Sequence, residues 1–431
     1  MGGGAQVADQ ALVGSSAAVN PVGAVSGVSP DDSPAGAPDA TGDAMQPERA
    51  SETKQNTTPL RDVHEQLGAT LIPFAGWLMP LRYASETAEH NAVRTAAGLF
   101  DLSHMGEISV SGPDADAALD YALVGHLSAV APGRARYTMI CADDGGVIDD
   151  LVVYRLAEDD YLVVANAANT SVVFGQLRER AAEHDAAVRR GSGESTAVTD
   201  ATQEYALIAI QGPAAAAILA RRTEVPLGGL KYYAGLRAAV AGVPVLLART
   251  GYTGEDGFEL FCRAEHAASI WTALTEAGAG DGLVPAGLAA RDTLRLEAGM
   301  PLYGNELSTD VTPFEAGLGR VVKLDKPGDF VGRAALAERA RTGPRRTLIG
   351  LIGQSRRIPR HGYPVLLRGS AVGAVTSGAP SPTLRRPIAM AYVAPDAARQ
   401  AHNGQARLAV DVRGKAEQAD YAQLPFYHRA R

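Results

Sequence analysis

The chain has 431 residues, enough for two or three domains at about 150 each, and its 46% hydrophobic content supports sizeable cores, while 40 Lys+Arg against 48 Asp+Glu (net −8) argue against nucleic acid as a partner. Cys141 and Cys262 form no CxxC or Cys/His cluster, which argues against a disulfide framework or a structural zinc site and fits a reducing cytoplasm. The longest smoothly apolar stretches, such as Ala239 to Ala248, reach about half of the ~20 residues that span a bilayer, and no Lys or Arg precedes Arg49, so neither a membrane segment nor a targeting signal is expected.

Residues 1–57 are rich in Gly, Ala, Ser and Pro and lack Phe, Trp and Tyr, the composition of a disordered tail. Order is expected from Thr58-Pro59, with Thr58 capping a helix whose stripe is Leu60, Val63 and Leu67. A second helix is predicted from about Ser85 to Ala97 and a third after Pro113. Phe100 to Met105 reads as a loop or short strand, and Glu107 to Ser111 as a strand. Ala135–Ala142 and Val147–Leu156 flank the turn Asp143-Asp144-Gly145-Gly146, a hairpin signal. Tyr161–Ala165 is a further strand, Thr170–His184 a helix, and Tyr205–Ile210 a strand ended by Gly212-Pro213, with a helix beyond. Strands Val243–Arg249 and Phe258–Cys262 enclose a Gly-rich loop. Helices Glu265–Ala277 and Ala286–Glu297 follow. Strands and helices without strict βαβ alternation indicate an α+β fold over 58–325. Residues 326–345, with a short helix from Arg333 to Ala340, read as a linker. From Arg346 to 431, short β-branched runs between Gly and Pro turns predict a small all-β barrel or sandwich.

The chemistry-bearing residues are few. There is no GxGxxG after a strand, no GxxxxGK[ST], no HExxH and no GxSxG, which weakens hydride transfer, ATP hydrolysis, zinc hydrolysis and serine hydrolysis together. His64 and His104 are isolated in sequence and read as structural. Asp149 and Asp150 lie within Val147-Ile148-Asp149-Asp150-Leu151-Val152-Val153. Neighbours on a strand point to opposite faces, so either both carboxylates are solvated at a strand end or one enters a buried space; Asp150 shares its face with Val152 and Tyr154. Glu259 is flanked by apolar residues, and Arg291 sits among small residues on a helix. Each suits a buried Glu–Arg pair or a ligand. Asn166 could cap a helix or bind a ligand.

Ten or so stretches in order resemble one known family. Thr58-Pro59-Leu60, Phe74-Ala75-Gly76-Trp77, Phe100 to Met105 and Gly145 to Asp150 come first. Gln211-Gly212-Pro213, Thr250 to Glu259 and Gly287 to Gly299 follow, then Val375 to Gly378 with Ser381-Pro382, Ala389 to Val393 and Pro425-Phe426-Tyr427. Together they resemble the aminomethyltransferase, or T-protein, family of the glycine cleavage system. The resemblance implies a three-domain cloverleaf around a central folate cavity, with a C-terminal β-barrel or jelly roll. It implies transfer of a one-carbon unit from the aminomethylated lipoyl arm of an H-protein to tetrahydrofolate, with release of ammonia and formation of 5,10-methylenetetrahydrofolate. No metal or nucleotide is implied. The family's essential carboxylate falls on Asp150 and its folate-gripping glutamate on Glu259. Arg291, Asn166, Tyr252, Met105, Tyr137, Val152, Tyr154 and Tyr427 fall on pocket positions. A cytoplasmic monomer, apart from membranes and nucleic acid, is expected. The flavin-bearing relatives need a further domain. Folate-binding relatives in iron–sulfur cluster maintenance carry a reactive Cys in a Lys-Gly-Cys context that neither cysteine here has.

Overall fold

The computed structural model describes residues 55–188 and 195–429. The disorder expected for residues 1–57 therefore lies, up to Lys54, outside the described residues. Asn56 and Thr57 are a correction: they pair in parallel with Trp77 and Leu78. The Asn56 N–H donates to the Gly76 carbonyl at 3.0 Å, and the Gln55 side-chain amide Nε2 donates to the Trp77 carbonyl at 3.0 Å. An open strand edge recruits backbone, so no apolar side chain is needed for a segment to join it. That edge belongs to a hairpin, Thr70–Phe74 with Trp77–Arg82, which the pattern did not reveal because Pro73 and Pro80 demote both runs as strands. Thr58 does not occupy the helix cap. Leu60 does, ahead of Arg61–Gln66, and the Thr58 hydroxyl instead accepts the Leu60 N–H at 3.3 Å.

Two sheets form the body. The first orders its strands as Arg134–Cys141, Val147–Ala157, Asp160–Ala165, Gly106–Ser111 and Ala197–Asp200. The second runs Gly235–Val240, Val243–Ala248, Gly257–Arg263, Tyr205–Gln211, Ala97–Asp101 and Leu283–Pro285. Ala97, expected at a helix end, begins a strand instead, because the preceding helix stops at Thr95.

Alternation along Val147–Ala157 builds two separate cores. Leu151 and Val153 pack with Leu119, Leu123, Val173 and Leu177 from the helices Ala115–Ala122 and Thr170–Val188. Val152 and Tyr154 pack on the opposite side with Met105, Leu207, Phe261 and Leu294. The second sheet does the same: Ile208, Ile210 and Leu260 lie under Ile270, Trp271 and Leu274 of the helix Ala267–Gly278, while Leu207 and Phe261 enter the core shared with Val152. The two sheets thus meet face to face, with helix Leu288–Glu297 contributing Ala290 and Leu294 between them.

The segment expected to be a linker is largely docked. Lys326 Nζ donates to the carbonyls of Asp120, Leu123 and Gly125 at 2.5–2.7 Å. Phe330, and Leu336 of the helix Arg333–Thr342, pack with Met139, Cys141 and Val147. Beyond it lies the anticipated barrel. It is closed, in the order Thr347–Gly353, Arg386–Val393, Ser370–Ser381, Pro364–Leu367, Leu408–Asp411 and Ala416–Ala422. The closing strand was not expected, because Ala416–Ala422 carries no β-branched residue and is broken by Glu417, Gln418 and Asp420, and gains its place through pairing with Thr347–Gly353 and Leu408–Asp411.

A polar node joins barrel to body. Buried Glu297 accepts Ser381 Oγ at 2.5 Å, Thr383 Oγ1 at 2.8 Å and Arg94 Nη2 at 2.9 Å, with His90 Nε2 at 3.2 Å. These cationic and hydroxyl donors outweigh burial and pull its carboxyl down to about 2.

Candidate functional site

Asp149 and Asp150 are both buried, so the solvated strand end is excluded. Asp149 faces the helical core and Asp150 the inter-sheet core, following the alternation of the strand. Asn166, where Asp160–Ala165 ends, reaches both. Its amide Nδ2 donates to Asp149 Oδ1 at 2.7 Å and to Asp150 Oδ1 at 2.9 Å. Asp149 also accepts the Asn166 backbone N–H at 3.0 Å and the Asn169 amide at 2.7 Å. Asp150 Oδ2 accepts the Tyr137 hydroxyl at 3.0 Å. With its amide hydrogens committed, Asn166 leaves Oδ1 buried and without a partner. The side chain does not cap the turn Ala167–Asn169; only its carbonyl serves there, accepting the Asn169 N–H.

Burial pushes the Asp149 carboxyl up to about 7, against the amide donors that lower it. Burial, reinforced by the charge of Asp149, pushes Asp150 well above the ordinary carboxylate range. Two close carboxylates away from solvent titrate as a unit and hold one proton near neutrality. Asp149 accepts three N–H groups, and the Asp150 oxygens accept Asn166 and Tyr137.

Glu259 and Arg291 occupy the facing side. Glu259 accepts the Thr250 hydroxyl, and the Tyr154 hydroxyl lies 3.3 Å from the same carboxylate oxygen and 3.0 Å from Thr250 Oγ1. Burial raises the Glu259 pKa, while Thr250 and the charge of Arg291 hold it down. Arg291 is buried; its guanidinium carbon lies 4.7 Å above the Tyr252 ring. The Tyr252 hydroxyl is committed to the Pro301 carbonyl at 2.6 Å, which leaves the ring face as the cation's platform.

Tyr154 connects the two halves, since it shares a strand face with Asp150 and Val152 while reaching Glu259. Met105 packs with Val152 and Tyr154. The structure thus brings together Met105, Tyr137, Asp150, Val152, Tyr154, Asn166, Tyr252, Glu259 and Arg291. Tyr427 stands apart: its half-buried ring lies 4.0 Å from the Arg94 guanidinium, and burial together with Glu255 pushes its phenol up to about 12. Sequence reasoning missed Thr250, Asn169, Tyr233 and Tyr303. Tyr233 adopts a left-handed φ of 57°, and its half-buried phenol lies within the influence of Glu259 and Asp150. Tyr303 is pushed up to about 12 by burial and by Asp149 and Asp150. None carries a spacing signal, because each comes from a loop or turn that only the fold places.

The family description "GCVT N-terminal domain" matches residues 60–326, and "Glycine cleavage T-protein C-terminal barrel domain" matches 346–428. The chain belongs to the glycine cleavage T-protein family. The aminomethyltransferase of Streptomyces coelicolor is 60% identical over 382 residues, covering 88% of this chain and 99% of that protein. That of Streptomyces avermitilis is 62% identical over 375 residues, covering 86% and 97%. The crystal structure of the glycine cleavage system aminomethyltransferase T from Bartonella henselae superposes with a TM-score of 0.78 at 35% identity, covering 87% of this chain and 99% of that one. T-protein family membership accounts for the α+β body and the closed barrel. Among the described residues no group of three or more His, Cys, Asp or Glu is arranged to hold a metal ion, and no helix is long and apolar enough to cross a membrane.

Proposed function

We propose that this T-protein family member is an aminomethyltransferase that takes the one-carbon unit of an aminomethyl group on the lipoyl sulfur of an H-protein and passes it to tetrahydrofolate. Ammonia and a reduced dihydrolipoyl arm leave, and 5,10-methylenetetrahydrofolate is formed in the cytoplasm. The observation that carries the reading is the buried Asp149–Asn166–Asp150 cluster opposite Glu259. Burial and Asp149 raise the pKa of Asp150 beside Tyr137, and a cationic amine brought next to it lowers it, so the carboxyl can take up and give back a proton as nitrogen groups exchange on the carbon. Asn166 Oδ1, held outward by the two carboxylates, offers an acceptor to an N–H of the folate. Glu259 can accept N–H groups of the aminopyrimidine edge, and Val152, Met105 and Tyr154 supply apolar walls for the pterin. Arg291, backed by Tyr252, keeps positive charge beside Glu259.

The residues fit the folate co-substrate because an unpartnered buried acceptor and a buried carboxylate face apolar walls. The iron–sulfur reading finds no support: both cysteines are buried, and burial pushes each thiol up to about 12. The deciding assay is ammonia release from aminomethyl-loaded H-protein, with and without tetrahydrofolate. Release that does not depend on tetrahydrofolate refutes the proposal.

A further inference from the structure

His104 has no role in the arrangement above, and its sequence context suggested a structural histidine. The structure shows otherwise. Its ring is buried, and among the described residues neither ring nitrogen has a hydrogen-bond partner. A structural histidine in a core normally satisfies at least one nitrogen, as His64 does on Asp101 at 2.8 Å and Tyr83 at 2.9 Å.

The position is built rather than incidental. His104 lies in the turn Leu102–Met105, closed by the Met105 N–H on the Leu102 carbonyl at 2.9 Å. The turn is pinned to the neighbouring strand twice: the Leu102 N–H donates to the Leu207 carbonyl at 2.8 Å, and Ser103 Oγ accepts the Leu207 N–H at 3.1 Å. Ser103 N–H is held in turn by Asp101 at 2.9 Å. Phe74 meets the imidazole edge-on with centroids 5.5 Å apart. The next residue, Met105, packs on Val152 and Tyr154, and the charge of Arg291 acts on the ring. Burial and Arg291 depress its pKa to about 3, so the ring is neutral and presents one N–H donor and one acceptor.

We propose that His104 is a folate-binding residue, one of whose free ring nitrogens meets the carbonyl of the neutral, amide-like edge of the pterin. The N–H of a neutral imidazole suits the lactam carbonyl, whereas Glu259 suits the all-donor side, the ring N–H with the exocyclic amine. This rests on the folate reading above.

The test uses the full chain and tetrahydrofolate itself. His104→Phe keeps a flat ring and removes both nitrogens. We expect tetrahydrofolate affinity to fall roughly tenfold to a hundredfold, while the melting temperature without ligand holds or rises, because two unmatched polar atoms have left the core. In the wild type, the His104 ring ¹⁵N resonances, assigned by their loss in His104→Gln, should shift on adding tetrahydrofolate. Wild-type affinity in folded His104→Phe overturns the proposal, as do ring resonances that do not move. If His104→Phe fails to fold, the ¹⁵N measurement alone decides. Glu259→Gln is the control: if it too binds tetrahydrofolate normally, the folate reading has failed rather than the role of His104.

Discussion

Comparing Asp149→Asn with Asp150→Asn tests the paired-carboxylate cluster directly. From the sequence alone Asp149, on the other strand face, would be an inert control; the hydrogen bonds remove that status. Asp149 accepts three N–H groups, two on Oδ1 and one on Oδ2. An asparagine there must turn an NH₂ toward a donor or make Asn166 flip, which breaks its bond to Asp150. The loss of one hydrogen bond to a charged group is about 1.5–3 kcal/mol, partly offset by no longer burying the carboxylate. If that loss is expressed in positioning, 1.36 kcal/mol per decade gives roughly a 10- to 150-fold fall in tetrahydrofolate-dependent ammonia release. Asp150→Asn already resembles the protonated form in shape, so it should fold normally yet lose about 10²–10⁴ in rate, the usual weight of an acid–base group. Turnover by coupled ammonia assay and stability by denaturant titration, on both variants, complete the experiment. The reasoning is refuted if Asp149→Asn matches wild type in both, or if Asp150→Asn keeps more than about a tenth of the rate.

The same pair has a pH signature. Because the folded pKa of Asp149 is raised from 3.8 to about 7, the folded state binds more protons than the unfolded one across that window. Its contribution is therefore complete below about pH 4 and lost as pH rises through about 7. The stability gap between wild type and Asp149→Asn should shrink from pH 4 to pH 7; a widening gap contradicts the assignment. Glu259→Gln should weaken tetrahydrofolate binding by roughly tenfold or more in calorimetry with little change in melting, whereas a purely structural pair with Arg291 predicts a stability loss of about 3–5 kcal/mol. Glu297→Gln removes the charge from a node holding Arg94 and His90 and should cost about 3–5 kcal/mol in denaturant unfolding. Deleting residues 1–54 should leave melting temperature and turnover unchanged. Extending the deletion through Thr58 should lower the melting temperature by removing the pairing with Trp77 and Leu78 and the buried Thr58.

Periodicity made the long elements legible. Val147–Ala157, with its Gly-bearing turn, and Thr170–Val188 lie close to their expected spans because local pattern and tertiary need agree. Elements stabilised by neighbours rather than by their own pattern were hidden. Ala416–Ala422 lacks any β-branched residue yet closes a barrel, and Asn56–Thr57 joins an edge through backbone alone. At the site, Asp150, Glu259 and Arg291 stood out because charge interrupts apolar texture. His104, Thr250 and Tyr233 did not, since their placement depends on turns that bring distant strands together. The linking of Asp149 to Asp150 through Asn166 was equally unreadable, because alternation assigns faces but not the partner that bridges them.

The node at Glu297 has a consequence for how the molecule is made. Its partners span the chain from His90 and Arg94 to Ser381 and Thr383, and the Tyr427 N–H donates to the Glu297 carbonyl at 2.8 Å. The barrel, moreover, is closed by Ala416–Ala422, which pairs with both Thr347–Gly353 and Leu408–Asp411. Domains emerging from the ribosome fold largely in order from the N-terminus. Here the body can form early with Glu297 already held by Arg94 and His90, while its carboxylate awaits the hydroxyls of Ser381 and Thr383. A chain cut before Ser381 would therefore display a body in which Glu297 keeps its cationic partners and lacks the two barrel hydroxyls that seat the barrel on it.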